Sequence, residues 1–150
     1  MRGRLRARLR DDRGSMLPLT IFYGFLCIVL VLLVVAATSL YLERKRLFTL
    51  ADGAALVGAE AFDLDDVEST PEGLRATLES PDVAAAAAAY LRTAPTSGFE
   101  SLTLERALTV DGRSATVELS AYWRPPLVSA LVPEGLRIEV TAVARSVFSR

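Results

Sequence analysis

The sequence predicts an α+β fold, a long N-terminal transmembrane helix extending into a small domain with a three-stranded antiparallel sheet. Three observations carry that expectation. No residue from Ser15 to Leu42 bears a charge. Beyond that run, apolar residues recur at helical spacing to about Phe62, and no proline falls between Pro18 and Pro71. After Gly98 the period changes to two, with Asp111-Gly112 as a hairpin signal between two alternating segments.

Composition narrows the chemistry. The chain has 150 residues, of which 51% are hydrophobic and 23% charged. It contains no histidine, which excludes Ser-His-Asp and Cys-His catalysis, His-ligated zinc and a histidine pH switch. The single cysteine, Cys27, lies within the uncharged run, so neither an intramolecular disulfide nor a CxxC pair can form. The carboxylate pairs Asp65 and Asp66, and Glu100 and Glu105, lack any context for a buried, pKa-shifted dyad. The expectation is a non-enzyme with no catalytic residue, no cofactor, no metal and no small-molecule substrate.

Charge sets the expected topology. Residues 1–14 hold six arginines against two aspartates, whereas the chain beyond the run holds eleven basic and sixteen acidic residues. A short arginine-rich flank stays on the cytoplasmic side, and it outweighs the weakly basic Glu43-Arg44-Lys45-Arg46 at the other end. The same arginines need no nucleic acid to explain them, and none is expected as a partner. As a helix the run rises about 42 Å, against about 30 Å of hydrocarbon. Val35-Ala36-Ala37 offers a small-x-small step of the signal-peptide kind, but the apolar run continues past it. The expected organisation is a basic cytoplasmic leader over 1–14, a transmembrane helix over 15–42 and an extracytoplasmic domain over 43–150. That domain is read as helical over 43–95 and as a sheet over 99–148.

Leu47, Leu50, Ala51, Ala54, Gly58 and Ala61 prolong the helix past the membrane. Its stripe of small residues, Ala51, Ala54, Ala55, Gly58 and Ala59, admits a close neighbour, from either the same chain or another subunit. Asp63 to Glu68 reads as a solvated acidic loop, because a calcium loop needs glycine where Glu68 stands. Thr70-Pro71-Glu72 and Ser80-Pro81-Asp82 each read as a helix start with a hydroxyl cap and a proline in the first turn. The second of these helices continues through alanines 84–89 to Leu91.

Leu102 and Leu104 begin the alternating part. Ala115, Val117, Leu119, Ala121 and Trp123 share one face of the next strand, which Pro125-Pro126 ends. Leu136, Ile138, Val140, Ala142 and Ala144 share one face of the third. The expected sheet core is Val117, Leu119, Trp123, Ile138 and Val140. One apolar face needs a cover, and the long helix can supply it. The link from Pro125 to Gly135 is apolar through Leu127, Val128, Leu131 and Val132, and either tucks under the sheet or marks a contact surface.

Asp12-Arg13-Gly14-Ser15-Met16-Leu17-Pro18-Leu19 before the run, and Leu47 to Glu60 after it, resemble the TadE/TadG-like group of Flp (Tad) pilus assembly proteins in its actinobacterial form. The resemblance covers about residues 11–62. It implies a pilin-like extracytoplasmic domain on a membrane-anchored minor pilin or assembly subunit, structural and non-catalytic, at the cell surface. Its partners would be the lipid bilayer and other pilus or Tad-system subunits. It also implies prepilin-type cleavage after Gly14, which would free Ser15. The fifth position from Ser15, where pilins of that type usually carry glutamate, is Leu19, preceded by Pro18. Larger relatives carry a metal-dependent adhesion domain, whose Asp-x-Ser-x-Ser run does not occur here. A reading of a different class is a single-pass anchored extracytoplasmic binding module, using a sheet edge or the Pro125–Gly135 link and unrelated to a filament.

Overall fold

The structure, a computed structural model, describes residues 16–62, 67–70, 73–124 and 135–145. The leader, most of the acidic loop and the apolar link lie outside these, as does the chain beyond Arg145. The chain forms two compact units, residues 1–38 and 39–150.

In the first unit the described residues are all helical and begin α1 (Met16–Ala59). Pro18 sits in the first turn, where its missing N–H has no intrahelical partner to lose. Ile21, Phe25, Leu30 and Leu33 are exposed, so this segment buries nothing of its own. The hydroxyls of Thr20 and Thr38 donate to the carbonyls of Met16 and Val34, each at 2.9 Å. Those polar groups are thereby satisfied within the helix. α1 is long and apolar enough to cross a membrane.

The second unit contains the rest of α1, then β1 (Val67–Thr70), β2 (Gly73–Ala76), α2 (Ser80–Thr93), β3 (Glu100–Thr109), β4 (Ser114–Trp123) and β5 (Leu136–Arg145). The α+β class and the three-stranded antiparallel sheet, in the order β3-β4-β5, are as the sequence predicts. α1 closes with Glu60 N–H on Val57 O and Ala61 N–H on Gly58 O, both 3.3 Å, in the tighter i→i+3 pattern. It ends at Ala59, slightly short of Phe62.

Two local expectations are corrected. Residues 67–70 and 73–76 are strands and not helical, so Val67 and Glu68 of the expected acidic loop also belong to a strand. β1 and β2 pair antiparallel, with Val67 opposite Ala76 and Thr70 opposite Gly73. A hydroxyl residue followed by proline marks a tight turn as well as it marks a helix start, and Gly73 is a poor helix former. The Ser80 hydroxyl does not cap α2 either. Glu79 occupies the cap position without a side-chain bond. Ser80 Oγ instead donates to the carbonyl of Thr109 and accepts from its N–H, each at 3.2 Å, fastening the start of α2 to the end of β3. Pro81 in the first turn, Asp82 near the N-terminus and Arg92 in the last turn do act as helix signals.

β4 pairs with β5 over ten consecutive residues without a break. β3 pairs with β4 through two register shifts, one of which makes Glu105 an extra residue between Leu104 and Arg106. At the hairpin Gly112 takes φ 66°, a left-handed conformation that glycine adopts without steric cost. Asp111 Oδ1 accepts from Arg113 N–H at 2.9 Å, Ser114 N–H at 2.7 Å and Ser114 Oγ at 2.8 Å. These bonds hold its carboxyl below the ordinary value, the Ser114 hydroxyl contributing most.

Within the second unit, the part of α1 from Ser39 onward runs antiparallel to β4. Trp123 Nε1, at the end of β4, donates to Ser39 Oγ at 3.3 Å. At the other end of the strand, a Cβ placed on Gly58 would stand 3.3 Å from Ala115 Cβ.

Candidate functional site

One packing surface of α1 is consumed within the chain. Ala51, Ala54, Ala55 and Gly58 are all buried. Gly58 faces two elements of its own chain, since a Cβ there would come 3.1 Å from Val83 Cγ1 of α2 as well as meeting Ala115 of β4. Alanines 51, 54, 55 and 59 of α1 are buried, and so are alanines 115, 121, 142 and 144 of the inner sheet face. Small residues on both surfaces let the helix and the sheet approach closely.

Val117, Leu119, Trp123, Ile138 and Val140 lie on that inner face, Val117 and Leu119 wholly inaccessible and the other three at 5–7% exposure. Leu136, expected on the same face, is 51% exposed at the start of β5. Gly14 and Ser15, the cleavage candidates, lie outside the described residues.

Sequence reasoning missed several contacts because they are distant in the chain. Tyr90 of α2 brings the hydroxyl end of its ring against α1 where Gly53 leaves room, its ring carbon Cζ 2.8 Å from where a Cβ would stand. Beside it Arg46, Thr49, Leu50, Tyr90, Pro95 and Phe99 line an open, mainly apolar cavity of about 390 Å³.

The outer sheet face carries a charge network. Glu105 Oε1 accepts from Ser120 Oγ at 2.6 Å and from Arg137 Nη2 at 2.8 Å. Arg137 also reaches Glu139 at 2.9 Å, and Arg106 lies 3.8 Å from Glu118. The Ser120 hydroxyl and then the Arg137 guanidinium hold the Glu105 carboxyl below its ordinary value. Glu139 in turn raises the Arg137 guanidinium, with Glu105 adding to the effect. Ser120 is only 2% exposed, so its hydroxyl is closed to an incoming substrate. The network satisfies itself, and a bulge that places Glu105 beside Ser120 is what brings it together. Among the described residues no cluster of Cys, Asp or Glu could hold a metal ion.

Over residues 14–61 the chain matches the Tad family model, described as "Putative Flp pilus-assembly TadE/G-like". The matched segment takes in all of α1 and the buried small-residue stripe. The TadE/G-like resemblance read from residues 11–62 is thereby shown. No curated protein and no solved structure matches the chain.

Proposed function

We propose that this chain is a membrane-anchored minor pilin or assembly subunit of a Flp/Tad-type pilus, structural and non-catalytic. The observation that supports this reading is the coincidence of the family match, residues 14–61, with a single helix whose first half is apolar and exposed. Residues 1–14 form its cytoplasmic leader, the apolar part of α1 crosses the bilayer, and the domain beyond it is extracytoplasmic. Because the small-residue stripe is buried within the chain, contacts with other pilus subunits fall to other surfaces. Those available on α1 are the exposed run before Leu42 and the exposed Phe48, Leu56 and Val57. Tyr122 and Val143 on the outer sheet face are exposed as well.

Membrane fractionation and affinity purification of the tagged full chain from its host test this directly. The expected result is an integral membrane protein that co-purifies with other components of a Tad pilus system. A chain released from membranes by alkaline carbonate, or one retaining no pilus component while filaments assemble normally in its absence, overturns the proposal.

A further inference from the structure

The second unit carries complementary features at its two ends. At one end is the open, mainly apolar cavity of about 390 Å³, walled by Leu50 of α1, Tyr90 of α2, and Pro95 and Phe99 of the loop between α2 and β3. Phe99 adjoins Glu100, which pairs with Tyr122, so the cavity lies toward the end of β4 farthest from the Asp111-Gly112 hairpin. The cavity is preformed. Ala94 N–H bonds to Tyr90 O at 2.9 Å and Phe99 N–H to Thr96 O at 3.0 Å, which fixes the loop. Gly98 adds no side chain, and a Cβ there would meet nothing within 4 Å.

The hairpin at the other end stands ten residues of β4 away, or about 30 Å at ~3.3 Å per residue. It presents Val110, 86% exposed and more exposed than any other large apolar side chain among the described residues. A single apolar side chain on a surface needs no explanation by itself. This one is held out on a turn made rigid by three bonds to Asp111 Oδ1 and by Leu78 N–H on Gly112 O at 2.9 Å. Burying it therefore costs little ordering entropy. The charges around the two features also match. Asp111 and Arg113 of the tip are exposed. The cavity mouth carries Arg46 and Glu43, a loose 3.9 Å pair that can exchange partners with them.

We infer that the Val110 tip of one copy docks in the Leu50–Tyr90–Phe99 cavity of a second copy. Tip and cavity are different surfaces at opposite ends of one unit, so the contact is heterologous. A docked pair still offers a free tip and a free cavity, and the contact propagates beyond a dimer into a ring or an open array. The inference goes beyond the function proposed above, because it names a second copy of this chain as a partner and needs no other pilus component.

The test uses the full chain with Cys27→Ser, purified in detergent with micelles in excess over protein. On mild oxidation, a chain carrying both Val110→Cys and Gly98→Cys should give a ladder of disulfide-linked oligomers. Chains with either cysteine alone should give none. Sedimentation equilibrium of the chain with Val110 and Gly98 intact should show self-association, weakened at least tenfold by Val110→Asp and by Gly98→Phe, which fills the cavity. Both positions are exposed, so both variants should melt like the parent. Disulfide-linked dimers from Val110→Cys alone place two tips together and overturn the inference. A parent chain that stays monomeric, or association that Gly98→Phe leaves unchanged, overturns it as well. These readouts use purified chain, so a failed contact is distinguished from a failed pilus assignment, which co-purification from the host reads.

Discussion

Replacing Gly58 by leucine should destabilise the second unit by about 1–2 kcal/mol. A Cβ at this position already meets Val83 Cγ1 at 3.1 Å, Ala115 Cβ at 3.3 Å and the Val83 carbonyl at 3.6 Å. Leucine adds three further carbons to that space, and overpacking of this kind costs about 1–3 kcal/mol. Leucine is a better helix former than glycine by somewhat under ~1 kcal/mol, which offsets part of the loss. Alanine brings only the Cβ, so Gly58→Ala should fall within about 0.5 kcal/mol of the parent, its propensity gain set against a small shift of Val83. Thermal melting of the full chain in detergent, followed by Trp123 emission, reads the difference. A domain of this size loses about 4–8 °C per kcal/mol. Trimming the opposing side chain tests the geometry: in a Val83→Ala background the penalty for Gly58→Leu should shrink, with a coupling of at least about 0.5 kcal/mol. A Gly58→Leu chain that melts like the parent, or an unchanged penalty when Val83 is trimmed, would refute the close-packing account.

Trp123→Ala should cost about 3–5 kcal/mol, since it empties the buried inner face and removes the bond to Ser39; circular dichroism melting showing a loss below about 1 kcal/mol would contradict that. The Glu105 carboxyl is held below its ordinary value of 4.5 in the fold. Its contribution is therefore present above that value and lost as pH falls through the lower, folded one. Stability measured from pH 6 to pH 3 should decline less steeply in Glu105→Gln, and identical slopes would remove the carboxylate from the account. Protease added to intact spheroplasts should degrade residues beyond Leu42 and spare the leader; protection of the domain would reverse the topology. The intact mass of chain purified from its host membrane should correspond to a start at Ser15, and the mass of the full chain would rule out cleavage after Gly14.

Why some of this was legible in the sequence is a question of range. β4 and β5 could be read almost residue by residue because a sheet buried on one face imposes a period of two, from which only the buried Ser120 and the exposed Leu136 depart. The small-residue stripe on α1 was equally legible as a pattern, but not its neighbours. Val83 is 25 positions away in sequence, and nothing local to Gly58 identifies it. The Ser80 hydroxyl illustrates the same limit. By local rules it is an ideal cap, yet the structure gives it to Thr109, 29 residues on. The β1–β2 pair was misread for another reason, since a residue before proline, here Thr70, favours extended backbone as readily as it precedes a helix. The bulge at Glu105 did leave a trace, two consecutive polar residues, Glu105 and Arg106, after the alternation of Ser101 to Leu104. Its consequence, a carboxylate shared by Ser120 and Arg137, depends on three strands being adjacent and is invisible in any one of them.

The length of the uncharged run acquires a reason from the same geometry. Crossing about 30 Å of hydrocarbon takes about 20 helical residues, and Ser15 to Leu42 is longer than that. A hydropathy boundary assigns the whole surplus to the membrane. The folded chain does not, because the second compact unit begins at Ser39 and Ser39 is the residue that receives the Trp123 indole. Ser39 and Leu40 are part-buried in that unit, whereas Tyr41 and Leu42 are exposed. A charged side chain in place of Ser39 would meet the half-buried end of the sheet and leave the indole without its acceptor. One helix thus meets two apolar demands in succession, an exposed run long and apolar enough to cross a membrane and then a stripe buried within the second unit. The continuous helix hides the change because both demands select the same kinds of residue. What marks the change is the pattern of burial, exposed side chains giving way to a buried stripe from Leu47 onward.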